Sequence, residues 1–469
     1  MRLSAKRLGI AGAAVLCVVI VSTGYSQTLT TLVNFDRTNG QYPEFMALIQ
    51  GTDGQLYGTT YFGGLQDDGT VFRMTLQGRL TTMYSFATTT VGEPYAGLVQ
   101  GFDGNFYGTT TGYAENGNGT IFQITPDGVL TFLFTFGSGD GSMPQAPLLQ
   151  GADGDFYGTT TRGGAHNGRG GTLFKVTSGG DLTTLHFFGG TLGTNPMGWV
   201  IQARNGDFYG TTHDGGLSGY GTVFRMTPQG AFTLLHSFDS SDGANPYDGL
   251  LQATDGSFYG TTHFGGANQN GTVFKITAQG QFSTLYNFCA QAGCADGANP
   301  VAGLIQATDG NLYGTTAYGG TDNLGTIFEI TTGGALTTLH TFVQSDGAIP
   351  LGGLLQATDG NFYGSTVGGG SYDVQYGGYG TLFRFSLGLG AFVKVLPAAA
   401  KPGCVVKVLG TALSGATGVT FNGVPAAFTV EQSGATLSAV VPDGAADGKI
   451  EVTAPEGKLS SDIVFRVLP

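Results

Sequence analysis

Positive charge is scarce in this chain of 469 residues: 19 lysines and arginines stand against 32 aspartates and glutamates. Three of those cations, Arg2, Lys6 and Arg7, precede an apolar run from about Leu8 to Val21 and a small, polar stretch from Ser22 to Ser26, the form of a secretory signal. Removal of residues 1–26 leaves sixteen cations and all 32 acids, a net charge of −16. A surface of that sign disfavours nucleic acid and anionic membranes as partners. Long hydrophobic runs are also missing. Leu8–Val21 is shorter than the roughly 20 residues a spanning helix needs, and nothing later is more apolar, so no membrane insertion is expected after signal cleavage. Cys17 follows Leu16 rather than a small residue, which argues against a lipid anchor. Only four cysteines occur; Cys289 and Cys294 lie five apart and are expected to pair in an exported chain, leaving Cys404 over. Neither HExxH, GxSxG nor CxxC is found, and carboxylates recur mostly in Asp-Gly turns rather than as an isolated acid-base pair.

What the chain does have is glycine, 84 residues, spaced without a collagen period and set among 41% hydrophobic residues. Glycine between aromatic and β-branched residues points to many short strands joined by tight turns. Seven times the chain writes a variant of DGxxYGTT, with tyrosines at Tyr57, Tyr107, Tyr157, Tyr209, Tyr259, Tyr313 and Tyr363, a period of 50 to 54 residues. A glutamine precedes each copy, from Gln50 to Gln356, and a Gly-Thr-aliphatic-Phe segment follows, from Gly69 to Gly380.

One unit, Gly249 to Phe288, reads as four strands: Leu250 to Ala253, Phe258 to Phe264, Thr272 to Ile276 and Phe282 to Phe288. Asp255-Gly256 and Gln279-Gly280 turn the hairpins, the first read as a two-residue turn with both central φ angles positive. Four short strands per fifty residues make a propeller blade, because a lone twisted sheet must bury both faces against neighbours. An open stack such as a β-helix uses shorter coils. A surplus fourth strand, Leu29 to Phe35, stands before the first unit, and the last unit lacks one. The counts balance if Leu29–Phe35 completes the blade begun around Gly353. The fold class expected is all-β: a seven-bladed β-propeller over 27–386, a linker at 387–391 and an immunoglobulin-like β-sandwich over 392–469.

Two resemblances bear on this. The repeats, as in Asp53 to Thr60, Gly63-Gly64 and Gly69 to Phe72, resemble the GloVer tandem-repeat family of exported bacterial proteins, and the resemblance implies export and repetition over roughly 28–386. Members often end in a surface-sorting segment. Here Pro397, Lys401-Pro402-Gly403, Val405–Gly410, Val419 to Gly423 and Lys449 to Val452 resemble an IPT/TIG domain, which implies a spacer or adhesion module.

In such a ring the loops between strands two and three and those between blades open on one face. The inter-blade loops carry Asp242 to Pro246, Asp296 to Pro300 and Asp346 to Pro350. Turn chemistry accounts for Asp-Gly-Ala-x-Pro, since Asp caps its own loop and Gly takes positive φ; an oxygen-rich face for a cation or glycan is the functional reading, with calcium the ion it would take and no other cofactor indicated. His213 and His263 break the repeat in adjacent blades, where other units have Tyr61, Thr111, Thr161, Ala317 and Val367. Without a third ligand they make a weak metal site. His186, His236 and His340 fall in outer strands and read as edge packing. The ligand-binding residues expected are therefore His213, His263, Asp242, Asn245, Asp296 and Asn299, with no catalytic residue named. The functional expectation is a secreted or surface-exposed module binding carbohydrate or protein; a structural envelope protein, or a polysaccharide lyase or hydrolase on a propeller scaffold, are the alternatives.

Overall fold

The computed structural model describes residues 27–87, 92–112, 117–137, 139–164, 170–371 and 377–468. The signal-like segment 1–26 lies outside them. Seven antiparallel sheets of four strands each precede the C-terminal unit. Six are continuous in sequence; in blade 5 the strands are Leu251–Gln252, Phe258–Thr262, Thr272–Ile276 and Phe282–Asn287. Blade 7 is made from both ends of the array. Leu355–Gln356, Phe362–Thr366 and Thr381–Ser386 are completed by Thr28–Asn34, which pairs antiparallel with Thr381–Ser386. The ring closes as the strand count requires.

Two local expectations need correction. The innermost strand is two residues long rather than four, because the segment before it does not join its own ladder. Its carbonyls instead accept from threonine hydroxyls of the preceding blade, as in Thr59 Oγ1 to Ala96 O (2.9 Å) and Thr261 Oγ1 to Ala302 O (3.1 Å). The Asp-Gly hairpin is also not a two-residue turn. Only Gly256 has positive φ (83°), and Gly256 N donates to Ala253 O at 3.0 Å, a turn closed by one left-handed residue.

The repeated residues hold the ring together. Each motif tyrosine is buried, and in six blades its hydroxyl donates to the turn aspartate, as Tyr57 does to Asp53 Oδ2 at 2.7 Å. In blade 4 Asn205 stands there and donates to Tyr209 Oη at 3.1 Å. Gly108 of the second strand faces Phe122 of the third, whose ring lies 2.5 Å from where a Cβ would be, so nothing larger fits. Every glutamine before the motif clasps its neighbour: its Oε1 accepts from a backbone N–H of the previous blade and its Nε2 donates to its own turn, as with Thr308 N to Gln356 Oε1 (3.0 Å). The last clasp, Thr358 N to Gln50 Oε1 at 2.9 Å, joins blade 7 to blade 1.

Hydrophobic clusters lie between blades rather than within them. Tyr57, Val71 and Phe86 of blade 1 pack with Leu98, Phe106 and Phe122 of blade 2, and Val33, Phe35 and Leu382 of blade 7 pack with Met46, Leu56 and Phe72 of blade 1. Each such phenylalanine contributes about 1.5–3 kcal/mol of burial.

The C-terminal unit is a β-sandwich of two four-stranded sheets. Val393–Leu396, Val405–Gly410, Phe428–Val430 and Thr436–Val440 form one; Gly418–Phe421, Val424–Pro425, Ile450–Ala454 and Gly457–Ser460 form the other. Val406, Val408, Phe421, Leu437, Ile450 and Val452 fill the space between them. The sandwich docks on the Asp-Gly turns of blades 7 and 1: Phe392 N donates to Thr358 O (3.0 Å), Lys394 Nζ to Gln356 O (2.9 Å), and the Thr436 hydroxyl to Thr52 O. The opposite face, with the long loops, carries none of these contacts.

Candidate functional site

On the long-loop face each inter-blade loop runs beside the next blade's second-to-third loop, as Ala244 pairs with Phe264 and Ala298 with Tyr318. The residue before each recurring proline takes a left-handed conformation in all seven blades, from Tyr42 (φ 52°) to Ile349 (φ 56°). Its N–H donates to the previous blade and its carbonyl accepts from the next, as in Asn245 N to Tyr220 O (2.8 Å) and His263 N to Asn245 O (3.2 Å). Asparagine tolerates that conformation. The repeat therefore explains the backbone of Asn245 and Asn299, while their side chains hold the histidine segments: Asn245 Nδ2 donates to His213 O (3.0 Å) and Asn299 Nδ2 to His263 O (3.1 Å).

His213 and His263 both lie against Tyr247. The His213 ring meets Tyr247 edge-on at 5.4 Å, and His263 lies 6.0 Å from the same ring while stacking on Phe264 at 3.9 Å. His213 Nδ1 sits 2.9 Å from Asp214 Oδ1, and Asp214 also accepts from Asn195 Nδ2 (2.7 Å) and Asn245 Nδ2 (3.0 Å). These bonds, that from His213 first, hold the Asp214 carboxyl below its usual range. Burial, and then the neighbouring His213, push His263 down to about 4, so it is neutral at pH 7. Its Nδ1 is buried without a hydrogen-bond partner.

Asp242 and Asp296 do not join this group. Asp242 Oδ2 bonds His236 Nε2 (2.8 Å), and Asp296, fully buried, accepts from Tyr286 Oη (2.8 Å), Ala290 N (2.9 Å) and Gln291 N (3.1 Å). Both cap their own loops, Asp296 through Ala290 N and Gln291 N and Asp242 through Asp239 N (3.2 Å), because a carboxylate beside free loop N–H groups is best satisfied locally. His340 likewise bonds Asp346 (3.1 Å), and His186 stacks on Phe232 (4.1 Å), so the outer histidines do edge work. Cys289 and Cys294 are joined in a disulfide beside Asp296, and Cys404 is free and exposed. Among the described residues no group of three or more His, Cys, Asp or Glu side chains is gathered to hold a metal ion.

Sequence reasoning missed the residues on the axis itself. Phe45 of blade 1 stacks on Tyr95 of blade 2 (4.8 Å, 22° between planes) and on Tyr247 of blade 5 (4.8 Å, 11°), so three rings cross the mouth. Tyr61 meets Tyr95 edge-on at 5.5 Å and donates to Glu93 Oε2 at 3.2 Å. Burial raises the carboxyls of Glu93 and Glu44, and Glu44 acts on the hydroxyls of Tyr61, Tyr95 and Tyr247. Deeper lies Asp248, whose oxygens accept from Gly249 N (2.7 Å) and Gly303 N (2.6 Å), yet whose burial pushes it up to about 7. Trp199, the chain's one tryptophan, lies against Gly249 and Gly303. About 10 Å³ of free space remains among Phe45, Tyr95, Gln145, Met197, Tyr247 and Asp248, the room of a single water. A signal for these residues did exist. Where Asp248 stands, five other blades have Ala96, Ala146, Gly198, Ala302 and Gly352, and Pro43 is one residue farther from Leu48 than any other such proline is from its leucine or valine.

This architecture defines a seven-bladed β-propeller of tandem repeats, with a β-sandwich on its turn face and a blade-specific cluster on the other. The chain belongs to the Gloeobacter/Verrucomicrobia repeat family, which matches residues 17–204 and 196–426. Among solved structures it is similar to a fungal alcohol oxidase of the AA5 family in complex with copper (TM-score 0.51, 13% identity, 95% of this chain and 100% of that one), a likeness of fold. It also matches a gluconolactonase from Xanthomonas campestris (TM-score 0.40, 12% identity, 76% and 89% covered) and a luciferin-regenerating enzyme (TM-score 0.39, 15% identity, 61% and 89% covered). No curated protein matches it in sequence.

Proposed function

We propose that this chain is an exported binding module that takes a carbohydrate at the mouth of the long-loop face, with the sandwich acting as a spacer of IPT/TIG type. The observation that carries the reading is the cluster of His213, Tyr247 and His263, flanked by Asp214 and Asn245. These are residues the repeat does not require, gathered on the face the sandwich leaves uncovered. Tyrosine and histidine rings supply flat faces for the C–H side of a sugar, and the carboxylate and amide groups supply hydrogen bonds for its hydroxyls. Phe264 and Tyr318, 45% and 41% exposed, extend the aromatic surface outward. Export rests on the signal-like segment, with secretion, display at the cell surface or a periplasmic location as the proposed destination.

A glycan array with the mature chain, repeated with calcium and with a chelator, tests the reading. A carbohydrate ligand whose binding is lost in Tyr247→Ala, with an unchanged melting temperature, supports it. Binding that survives Tyr247→Ala and the double change His213→Ala with His263→Ala, but is lost on altering the Asp-Gly turn face, overturns it.

A further inference from the structure

With about 10 Å³ free among its rings, the mouth has no room for a sugar within it, so a glycan bound there must lie on exposed side chains. On the long-loop face of blades 4 to 6 three exposed aromatic residues stand outside the mouth: Tyr220, Phe264 and Tyr318, at 41%, 45% and 41% exposure. Phe264 and Tyr318 occupy the same place in neighbouring units, where the others have Phe62, Gly112, Arg162, Asp214 and Gly368. Phe62, the one other aromatic at that place, is packed against Tyr42 (6.4 Å) and Tyr61 (4.4 Å).

Backbone hydrogen bonds tie the three residues into one belt. Asn245 N donates to Tyr220 O (2.8 Å) and Ala244 N to Phe264 O (2.8 Å); Gly265 then bridges Asn270, Asn299 N donates to Asn270 O (2.8 Å), and Ala298 N to Tyr318 O (2.8 Å). Each step is one strand spacing of about 4.8 Å, so along the belt Phe264 lies about 10 Å from Tyr220 and about 14 Å from Tyr318. The belt joins the mouth at Phe264, whose ring stacks on His263 at 3.9 Å, while His263 lies 6.0 Å from Tyr247. Within 213–222, 244–247, 263–271, 298–301 and 317–325 the only ionised side chains at neutral pH are Asp214 and Asp322, apart from the histidines. From 176 to 383 the chain has three cations, Arg204, Arg225 and Lys275, and these bond Thr254 O, Asp207 and Asp255 on the turn side.

We propose that this belt is an extended subsite for a linear, uncharged polysaccharide, lying along blades 4 to 6 with sugar rings on Tyr220, Phe264 and Tyr318. The inference rests on the carbohydrate reading and adds the class of glycan: a polymer, because the rings are spread over several strand spacings, and one without carboxylate or sulfate groups, because no cation stands on the belt and its two carboxylates would repel them. A protein partner fits less well. Protein interfaces gather their apolar side chains into one dry core, whereas these rings are set apart by neutral amides such as Asn245, Asn268 and Gln269, which suit the hydroxyl edges of sugars between rings.

The test runs the mature chain through native gels containing hydroxyethylcellulose, galactomannan or laminarin, which are uncharged, and polygalacturonate or alginate, which are anionic. Oligosaccharides of two and six units from the retaining polymer are then titrated by calorimetry. The expected result is retardation by an uncharged polymer and by neither anionic one, with the six-unit chain bound at least tenfold tighter than the two-unit chain, and most of that gain removed by Phe264→Ala with Tyr318→Ala. Tyr318→Ala alone, in the next blade, repeats the test should Phe264→Ala disturb the histidine it stacks on; it should remove at least a threefold part of the gain. Retardation by the anionic polymers alone, or by none of the five, overturns the belt, and so does a length gain that survives in folded variants. Equal affinity for two and six units, lost in Tyr247→Ala, overturns the belt while leaving the carbohydrate reading of the mouth in place.

Discussion

The two faces of the ring are built from the same seven repeats and differ in what repeats. On the turn face the side chains recur: each blade's glutamine clasps its neighbour, and the motif tyrosine meets an aspartate or asparagine beneath it. On the long-loop face the left-handed residue and the proline after it recur, while the side chains beyond that proline run from Tyr95 to Gln145, Met197, Tyr247 and Val301. A side chain kept in seven blades is answering a demand every blade makes, which is assembly. One that appears in a single blade answers no such demand. Variation is therefore where function is to be sought, and the sandwich covers the uniform face and leaves the varied one open.

The largest break in that comparison comes from opening the ring. Deletion of 27–36 removes the fourth strand of blade 7 and exposes the edge at Thr381–Ser386. The expected result is loss of most of the folding stability, about 5 kcal/mol or more, or association through the bare edge. Urea melts and sedimentation check it, and a monomer with the parent's midpoint would refute the closure argument.

Next comes the axis. A carboxyl raised to about 7 binds its proton more tightly in the folded chain than in the unfolded one, where its ordinary value is 3.8. The penalty for ionising Asp248 is thus absent below about pH 4, grows through the window from about 4 to 7 and is constant above it. Stability should fall with rising pH there by at most about 1.4 kcal/mol per unit. Asp248→Asn should remove that component, so the difference between the two chains' urea midpoints should change across the window. Parallel curves would count against a raised Asp248.

Smaller again is a single clasp. Gln356→Ala leaves Thr308 N without its acceptor and Gly360 O without its donor, at a cost of about 1–3 kcal/mol. The cost should be similar for Gln202→Ala if the turn face is as uniform as its bonds. The smallest effect is expected on the other face. His213→Ala with His263→Ala should cost about 1 kcal/mol or less, read by thermal melting, and any ligand affinity should fall far more than stability does. A destabilisation as large as that of Gln356→Ala would make the histidines part of the assembly.

Much of this was legible beforehand because the repeat is a local code. Asp-Gly with Tyr, Gly with the facing Phe, and the surplus Leu29–Phe35 strand each imply a partner whose position in the fifty-residue unit is known. The candidate site was legible only in part. His213 and His263 stood out against their counterparts, but Asp242 and Asp296 looked equally available until the loop N–H groups that occupy them were in view. Asp214 and Tyr247 looked like ordinary loop residues.

The sequence by itself determined the number of blades, their strands and the closure of the ring, since these depend on hydrogen bonds and packing that each unit makes with itself or with the next. Only the tertiary structure decided what meets on the axis. Phe45 and Tyr247 are about 200 residues apart, in blades 1 and 5, and nothing local links them. They stack because a closed ring brings every inter-blade loop to one centre, where a single added residue in one of them is enough to push a ring across the mouth.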